Sequence, residues 1–439
     1  MKISEAAGLT VVHTRDDQTW AMLARKADKR AQGPSGETII ISEGKPYATL
    51  ANAVAILEND PNWSATGLRY NAFASRVEVR GQPVTDEAET GIALWMARVY
   101  GLEIATSKAA EAIRYVAHRR AYHPVREVLE LLVWDRKPRL HRLLDYYLGA
   151  ANTDLNAELS IRWAIGAVAR ALKPGTKLDQ VLILNGAQGV GKSTALRILG
   201  TFAGRFPEWF SDSAIDFGHK DAYEAIHSGV WIWELAELAS VNPRDAETVK
   251  MFLSSSQDRF RKSYARNPVV KARSVCFVGS SNQQEFLRDP TGSRRMWPVS
   301  VGAPRLEELE AAVEQLWAEA VALYRQGEIH WLDRAWSLQL QAHSEKFQRV
   351  DPWEVALDER LPRLLATSSG RYLTVTELLQ SLEVDIDKQH IAAAMRMGGI
   401  LTRMGWTKAR RTEEDGRAWR WYPPEVEPPE PVDSAPPPE

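Results

Sequence analysis

"VLILNGAQGVGKST" occupies residues 181–194. It opens as a short, unbroken apolar run, the pattern of a strand buried on both faces. It then passes through G-x-x-x-x-G-K-[ST] and runs on as "ALRILG", with helical character. The motif spans Gly186, Ala187, Gln188, Gly189, Val190, Gly191, Lys192, Ser193 and Thr194. Glycines let a backbone wrap an anion with its amides turned inward, and the following helix presents its positive end to the same anion. The lysine reaches terminal phosphates and the serine hydroxyl takes a magnesium position. A strand before and a helix after are the context this chemistry needs. The stretch predicts a P-loop nucleotide site taking ATP and magnesium, in an α/β domain built on a central parallel sheet.

A phosphate cradle alone names no reaction, since kinases, GTPases and motor ATPases share it. Its neighbours narrow the choice. "GVWIWELAEL" is an apolar strand ending in Glu234, with Glu237 three residues on. A carboxylate at a strand's C-terminal end beside the cradle holds magnesium or polarises the attacking water. Glu234 joins Ser193 as an expected metal position, although both glutamates also fit a solvated helix start. "SVCFVGSSN" is another buried strand, ending near Asn282, an amide placed either to sense a γ-phosphate or simply to make a turn. "MWPVS" reads as a weaker fourth strand, preceded by Arg294 and Arg295 in "LRDPTGSRR". Arginine is costly to bury unpaired. Two readings fit the pair: an ion pair to Asp289 or Glu285, or insertion against ATP bound to a neighbouring subunit, where a guanidinium stabilises transition-state charge.

Composition frames the rest. The 439 residues are 44% hydrophobic and 26% charged, ordinary for a globular protein of several domains. A single cysteine, Cys276, excludes an internal disulfide or cysteine-based zinc site. No signal-peptide or membrane-length apolar run is present, so a cytoplasmic location is expected. "HRRAYH" at 118–123 has no acid or cysteine to make a metal site of its two histidines. Net charge is −2, yet the last 17 residues, "PPEVEPPEPVDSAPPPE", hold five acids, eight prolines and no base, so the remainder is +3. That tail (423–439) is expected to be disordered. Residues 1–46 read as irregular, 47–175 as a mainly helical N-terminal domain, 176–330 as the ATPase core and 353–422 as a smaller unit. No internal repeat stands out.

The smaller unit opens with "TVTE", a capping box of Thr374 and Glu377, followed by two helices and two strands about an Asp-Gly turn. Two helices then a hairpin resembles a winged helix. Lys408, Arg410, Arg411 and Arg417 line its hairpin among tryptophans, as DNA contacts or on a protein-docking face. A second basic stretch lies within "SSSQDRFRKSYARNPVVKARS" and includes Arg261, Lys262, Arg266 and Lys271.

Taken together, "YHPVREVLELLVWDRKPRL", "VARALKPGTKLDQVLILNGAQGVGKST", "WIWELAEL", "VKMFLSSSQDRFRKSYAR" and "VGSSNQQEFLRDPTGSRRMWPV" resemble the virulence-associated E family of phage and mobile-element P-loop ATPases. The resemblance covers about residues 115–300 and extends weakly to "ILENDPNWSATGLRYNAFASRVEV". The family is similar to superfamily-three replicative helicases. That implies an AAA+-type core assembling as a homo-oligomeric ring on single-stranded or forked DNA. It also implies a basic hairpin facing the ring's channel; a subunit interface would use the same charges. Many relatives carry a primase-like domain ahead of this region, and none is expected here. The expectation is an ATP-dependent DNA motor of the helicase type, with Lys192, Glu234, Glu237, Asn282, Arg294 and Arg295 as catalytic positions. A nucleotide-gated DNA-binding regulator or phage-interference ATPase without unwinding remains the second reading. A metabolic P-loop kinase would have no use for the paired arginines and basic hairpin.

Overall fold

The computed structural model describes residues 30–32, 38–42, 45–63, 67–236, 246–261, 268–283, 287, 295–348, 351–367, 372–413 and 416–426. The chain forms two compact units, Met1–Phe347 and Gln348–Glu439.

The first unit begins with three short antiparallel strands, β1 (Arg30–Gln32), β2 (Thr38–Ser42) and β3 (Lys45–Pro46), where the sequence suggests an irregular segment. Helix α1 (Leu50–Asn59) follows, its first turn capped by the Thr49 hydroxyl, which accepts from the Asn52 amide. Next come β4 (Leu68–Asn71), β5 (Arg76–Val79) and β6 (Gln82–Pro83), a small antiparallel sheet. Helices α2 (Asp86–Tyr100) and α3 (Thr106–Arg119) cover it. Three acids in the first turn of α2 complement its positive end, and Gly101 ends it in the left-handed region at φ 69°. Trp63, Leu68, Trp95, Met96 and Ile113 share the resulting core. The expectation of a mainly helical domain misses this sheet for a physical reason. Glu78, in the middle of β5, is buried and takes bonds from Asn71, Arg76 and Tyr122. A charged residue at an inward position hides the alternation that marks a strand.

Helix α4 (Pro124–Leu131) starts with proline at its first position. The segment "LHRLLDYYLG" forms a 3-10 turn and a π turn rather than a regular helix. Helix α5 (Asp154–Leu172) then lies against the central sheet of β7 (Val181–Asn185), β8 (Phe210–Ser211), β9 (Ile232–Ala236) and two later strands. A hairpin of β10 (Gln257–Phe260) and β11 (Val269–Ala272) precedes those two, β12 (Cys276–Ser281) and β13 (Met296–Ser300). The sheet is parallel throughout, in the order β13-β7-β12-β9-β8. Its helices are α6 (Lys192–Thr201), α7 (Asp221–Ile226), α8 (Ala246–Ser254), α9 (Leu306–Arg325) and α10 (Arg334–Ser344).

Both faces of the sheet are covered, which is why its strands read as continuous apolar runs. Leu182 and Leu184 face a cluster with Trp163, Trp231, Trp297 and Trp317, while Val181 and Ile183 face Trp233, Phe252 and Phe277. The helices of residues 124–172 belong to the first of these clusters, packed on the sheet rather than on the N-terminal core. "MWPVS" pairs with β7 over its whole length as an edge strand, where Pro298 costs no ladder bond.

The second unit contains α11 (Pro352–Thr367), α12 (Val375–Ser381), α13 (Ile391–Arg403) and the antiparallel pair β14 (Thr407–Glu413) and β15 (Gly416–Tyr422). The Thr374–Glu377 capping box is formed in both directions. Leu357, Leu378, Met397, Ile400, Trp406 and Trp421 make its core. Among the described residues no helix is long and apolar enough to cross a membrane. Residues 427–439 of the proline-rich tail lie outside the described residues.

Candidate functional site

The loop 186–191 leaves the C-terminal end of β7 and turns directly into α6. Gly186 is required by crowding: a side chain there would meet the Val301 carbonyl at 2.6 Å. Gly189 and Gly191 take positive φ, 78° and 102°, a backbone that other residues adopt only with strain. Lys192 is nearly buried, and its ammonium donates to the carbonyls of Gly186 (2.8 Å) and Ala187 (2.9 Å), across the loop's own span. Burial pulls that ammonium below the ordinary lysine range, and Glu234 partly offsets the shift. Thr194, Ala187, Gln188 and Val190 complete the same turn-to-helix segment.

Glu234 arrives from β9. The Ser193 hydroxyl donates to its Oε1 at 2.7 Å. The carboxylate is 1% exposed, and among the described residues its Oε2 has no hydrogen-bond partner. A buried carboxylate oxygen without a partner is costly. Together with a serine hydroxyl it is an all-oxygen donor pair, the kind a hard cation takes. Among the described residues no three His, Cys, Asp or Glu side chains gather as a metal cluster.

Asn282 directly follows β12, the strand between β7 and β9, so it emerges at the same edge as the loop. The Ser281 carbonyl accepts from the Gly186 amide at 3.1 Å, fixing that proximity, and Asn282 itself is exposed. Glu237 lies outside the described residues.

The arginines are placed differently. Arg294 lies outside the described residues, as do Glu285 and Asp289. Arg295 immediately precedes Met296, whose partner is Val181, the first residue of β7. The loop leaves from the last residue of that strand. Arg295 and the loop of the same chain are therefore at opposite ends of β7, about 16 Å of strand apart. Its carboxylate neighbour is Asp179, at 3.5 Å. Little in the sequence points to that partner, because an acid just before a strand is a common loop residue.

The basic stretch between α8 and β12 forms the β10–β11 hairpin, with Lys262 and Arg266 outside the described residues. Arg261 is exposed at its outer end. Lys271 faces inward, donating to the Ala72 carbonyl (3.1 Å) and to the Ser75 hydroxyl, in the turn between β4 and β5. Beneath it lies a buried network that nothing in the sequence marks. Arg273 grips Asp258 with two bonds, of 2.7 and 2.6 Å, and His227 meets the same carboxylate at 3.0 Å. Arg170, fully buried on α5, donates to the carbonyls of Val275, Ser255 and Thr176. Burial holds its guanidinium down at about 10. In the second unit Lys408 and Arg410 are exposed on β14, while the side chains of Arg411 and Arg417 lie outside the described ones.

The model of the virulence-associated protein E-like domain matches residues 129–349, half of the chain, from α4 through the central sheet to just past α10. Two solved structures are distantly similar. The apo structure of the NrS-1 C-terminal region (305–718) is 12% identical, over 81% of this chain and 95% of that one, with a TM-score of 0.45. An A-form apo structure of the same region is 12% identical over 81% and 96%, with a TM-score of 0.44. No curated protein matches the sequence. With the glycine loop, the Ser193–Glu234 pair and the basic hairpin all on the matched segment or its elements, the chain belongs to the virulence-associated protein E-like family.

Proposed function

We propose that the protein is a magnesium-dependent ATPase acting on DNA, a replicative motor of the helicase type in a phage or integrated element. The observation that carries the proposal is the Ser193 hydroxyl bonded to Glu234 at the mouth of the glycine loop, with the second carboxylate oxygen buried and unpartnered among the described residues. Ser193 and Glu234 hold magnesium; the ion, when bound, neutralises phosphate charge. Lys192 exchanges its bonds to the loop carbonyls for phosphate oxygens. Glu234 orients water at the γ-phosphate, and Asn282 reads that phosphate from the neighbouring strand.

Arg295 cannot reach the phosphates of its own chain from the far end of β7. A guanidinium so placed serves a site on a second copy, which supports a ring-forming homo-oligomer, with Arg294 beside it. DNA is engaged by Arg261 at the outer end of the core hairpin and by the winged-helix-like second unit; Lys271, tied to the β4–β5 turn, takes no part in this.

The test is a mixing experiment. Lys192→Ala abolishes ATP turnover while the protein stays folded, and a double variant Arg294→Ala, Arg295→Ala binds ATP without hydrolysing it. Mixed together, the two restore activity, because an intact loop meets an intact arginine at some interfaces. Unchanged hydrolysis by Lys192→Ala would overturn the nucleotide site. A concentration-independent rate with no rescue on mixing would return Arg295 to a purely structural pairing with Asp179. A strand-displacement assay then separates a motor from a nucleotide-gated binder.

A further inference from the structure

The hairpin of the second unit presents a surface that its own core does not cover. The register sets Lys408 opposite Trp421 and Arg410 opposite Trp419. The Lys408 ammonium lies 4.8 Å from the centre of a Trp419 ring, and the Arg410 guanidinium 5.8 Å. Trp421 is buried in the core, whereas Trp419 is 54% exposed. Among the described residues neither cation has a carboxylate partner. A flat apolar ring between two cations suits a ligand that is anionic and also carries flat or puckered rings.

The chain supplies such a ligand itself. "PPEVEPPEPVDSAPPPE" begins directly after β15, with five acids, eight prolines and no base. Pyrrolidine rings pack on exposed indoles, and a proline-rich segment loses little entropy on doing so. The exit of the chain favours the same face. The Val426 amide donates to the Pro423 carbonyl at 3.0 Å, and Pro424 packs where a side chain on Gly405 would sit, 3.2 Å away. That turn holds the outgoing chain against the base of the hairpin, three residues from Lys408. Thirteen residues beyond Val426 have a reach of about 40 Å at roughly 3.1 Å each. Trp419 lies only about 10 Å of strand from Tyr422. A tether this short gives an effective concentration on the order of millimolar, enough to fill a face of modest affinity.

We propose that residues 427–439 dock on the Lys408–Trp419–Arg410 face of their own hairpin and compete there with nucleic acid. The proposal rests on the DNA reading only in naming the competitor.

The test uses a fluorescein-labelled peptide of residues 423–439 and the full-length chain. In one variant the tail is neutralised by Glu427→Gln, Glu430→Gln, Asp433→Asn and Glu439→Gln. The neutral-tail chain is expected to bind the peptide saturably, more weakly as salt rises. The native chain should bind it about tenfold more weakly or worse, because its own tail holds the face. Adding Lys408→Glu and Arg410→Glu to the neutral-tail chain should abolish binding, with an unchanged thermal melt as the check on folding. No peptide binding by the neutral-tail chain, or binding that survives charge reversal, overturns the proposal. A single-stranded oligonucleotide completes the test and should bind the neutral-tail chain about tenfold more tightly than the native one. Peptide binding with identical oligonucleotide affinities leaves the docking in place and removes the DNA reading of this hairpin. Tighter oligonucleotide binding without peptide binding assigns the tail's effect to long-range repulsion and overturns docking.

Discussion

Two hairpins of this protein are written in the same residues, arginine, lysine and aromatic rings, and use them in opposite ways. In β10–β11 the register sets Lys271 against Asp258. Asp258 is already claimed by Arg273, which is 0% exposed, and by His227, whose ring stacks on Phe260. Lys271 turns instead to the β4–β5 turn. Of the described cations there, Arg259 and Arg261 stay exposed. In β14–β15 the residues facing Lys408 and Arg410 are tryptophans, and both cations remain in solvent. A count of positive charges therefore says little about a nucleic-acid surface. What decides is whether the fold places a carboxylate or carbonyl within reach: where it does, the cation is a strut, and where it offers an indole, the cation remains available.

If the core hairpin's charges are struts, removing them costs stability. The largest effect is expected for Asp258→Ala, which leaves Arg273 buried without its carboxylate, at about 3–5 kcal/mol. Urea unfolding measures it, and a loss below about 1 kcal/mol would show that water reaches Arg273. Next in size is a pH effect through His123. Burial, the largest cause, holds its imidazole down at about 4. Neutral Nδ1 accepts from the Arg126 amide as the cap of α4, and Nε2 meets Ser274 at 3.1 Å. The unfolded imidazole takes a proton near pH 6.5 while the folded one does not, so stability falls as pH drops from about 7 toward 4, by at most about 3 kcal/mol. His123→Asn keeps a cap and cannot titrate, so its stability should be flatter over that window. Equal slopes for both proteins would remove His123 as the cause. Lys271→Met is smaller still, about 1–2 kcal/mol from the charged hydrogen bonds it removes. It should leave the salt dependence of DNA binding untouched, and a shallower dependence would put Lys271 back on the DNA-binding surface.

The sheet was legible because burial on both faces removes polar residues from its strands, so "VLILN", "WIWEL" and "CFVGS" announce themselves. The loop was legible because a backbone that turns through positive φ at Gly189 and Gly191 needs glycine at fixed spacing. The N-terminal sheet was not, since Glu78 puts a charge at an inward position and its partner Tyr122 comes from elsewhere in the sequence. Nor was the packing of α5 on the central sheet, because an apolar helix face does not say which core receives it. The paired Arg294 and Arg295 suggested Asp289 or Glu285 by closeness in sequence. Those two acids and Arg294 lie outside the described residues; among the described ones the carboxylate near Arg295 is Asp179, brought there by the pairing of β13 with β7. Local chemistry shows in a sequence, whereas pairings made across the sheet do not.

The smallest effect on stability is expected where the comparison predicts the largest effect on binding. Lys408→Ala with Arg410→Ala removes two exposed cations, and stability should move by no more than about 0.5 kcal/mol, as for ordinary surface positions. Each cation withdrawn from a phosphate lowers the slope of log K against log salt by roughly one unit, so the double variant should be shallower by about two if both cations meet phosphates. Trp419→Ala separates the ring from the charges: stacking on a base contributes about 1–3 kcal/mol and releases no counterions, so affinity falls while the slope stays. A salt titration by fluorescence anisotropy, made in the neutral-tail background so that the acidic tail does not mask either effect, reads both. A double variant that loses stability like Lys271→Met while keeping its salt slope would mean that these cations are struts as well, and the contrast between the two hairpins would disappear.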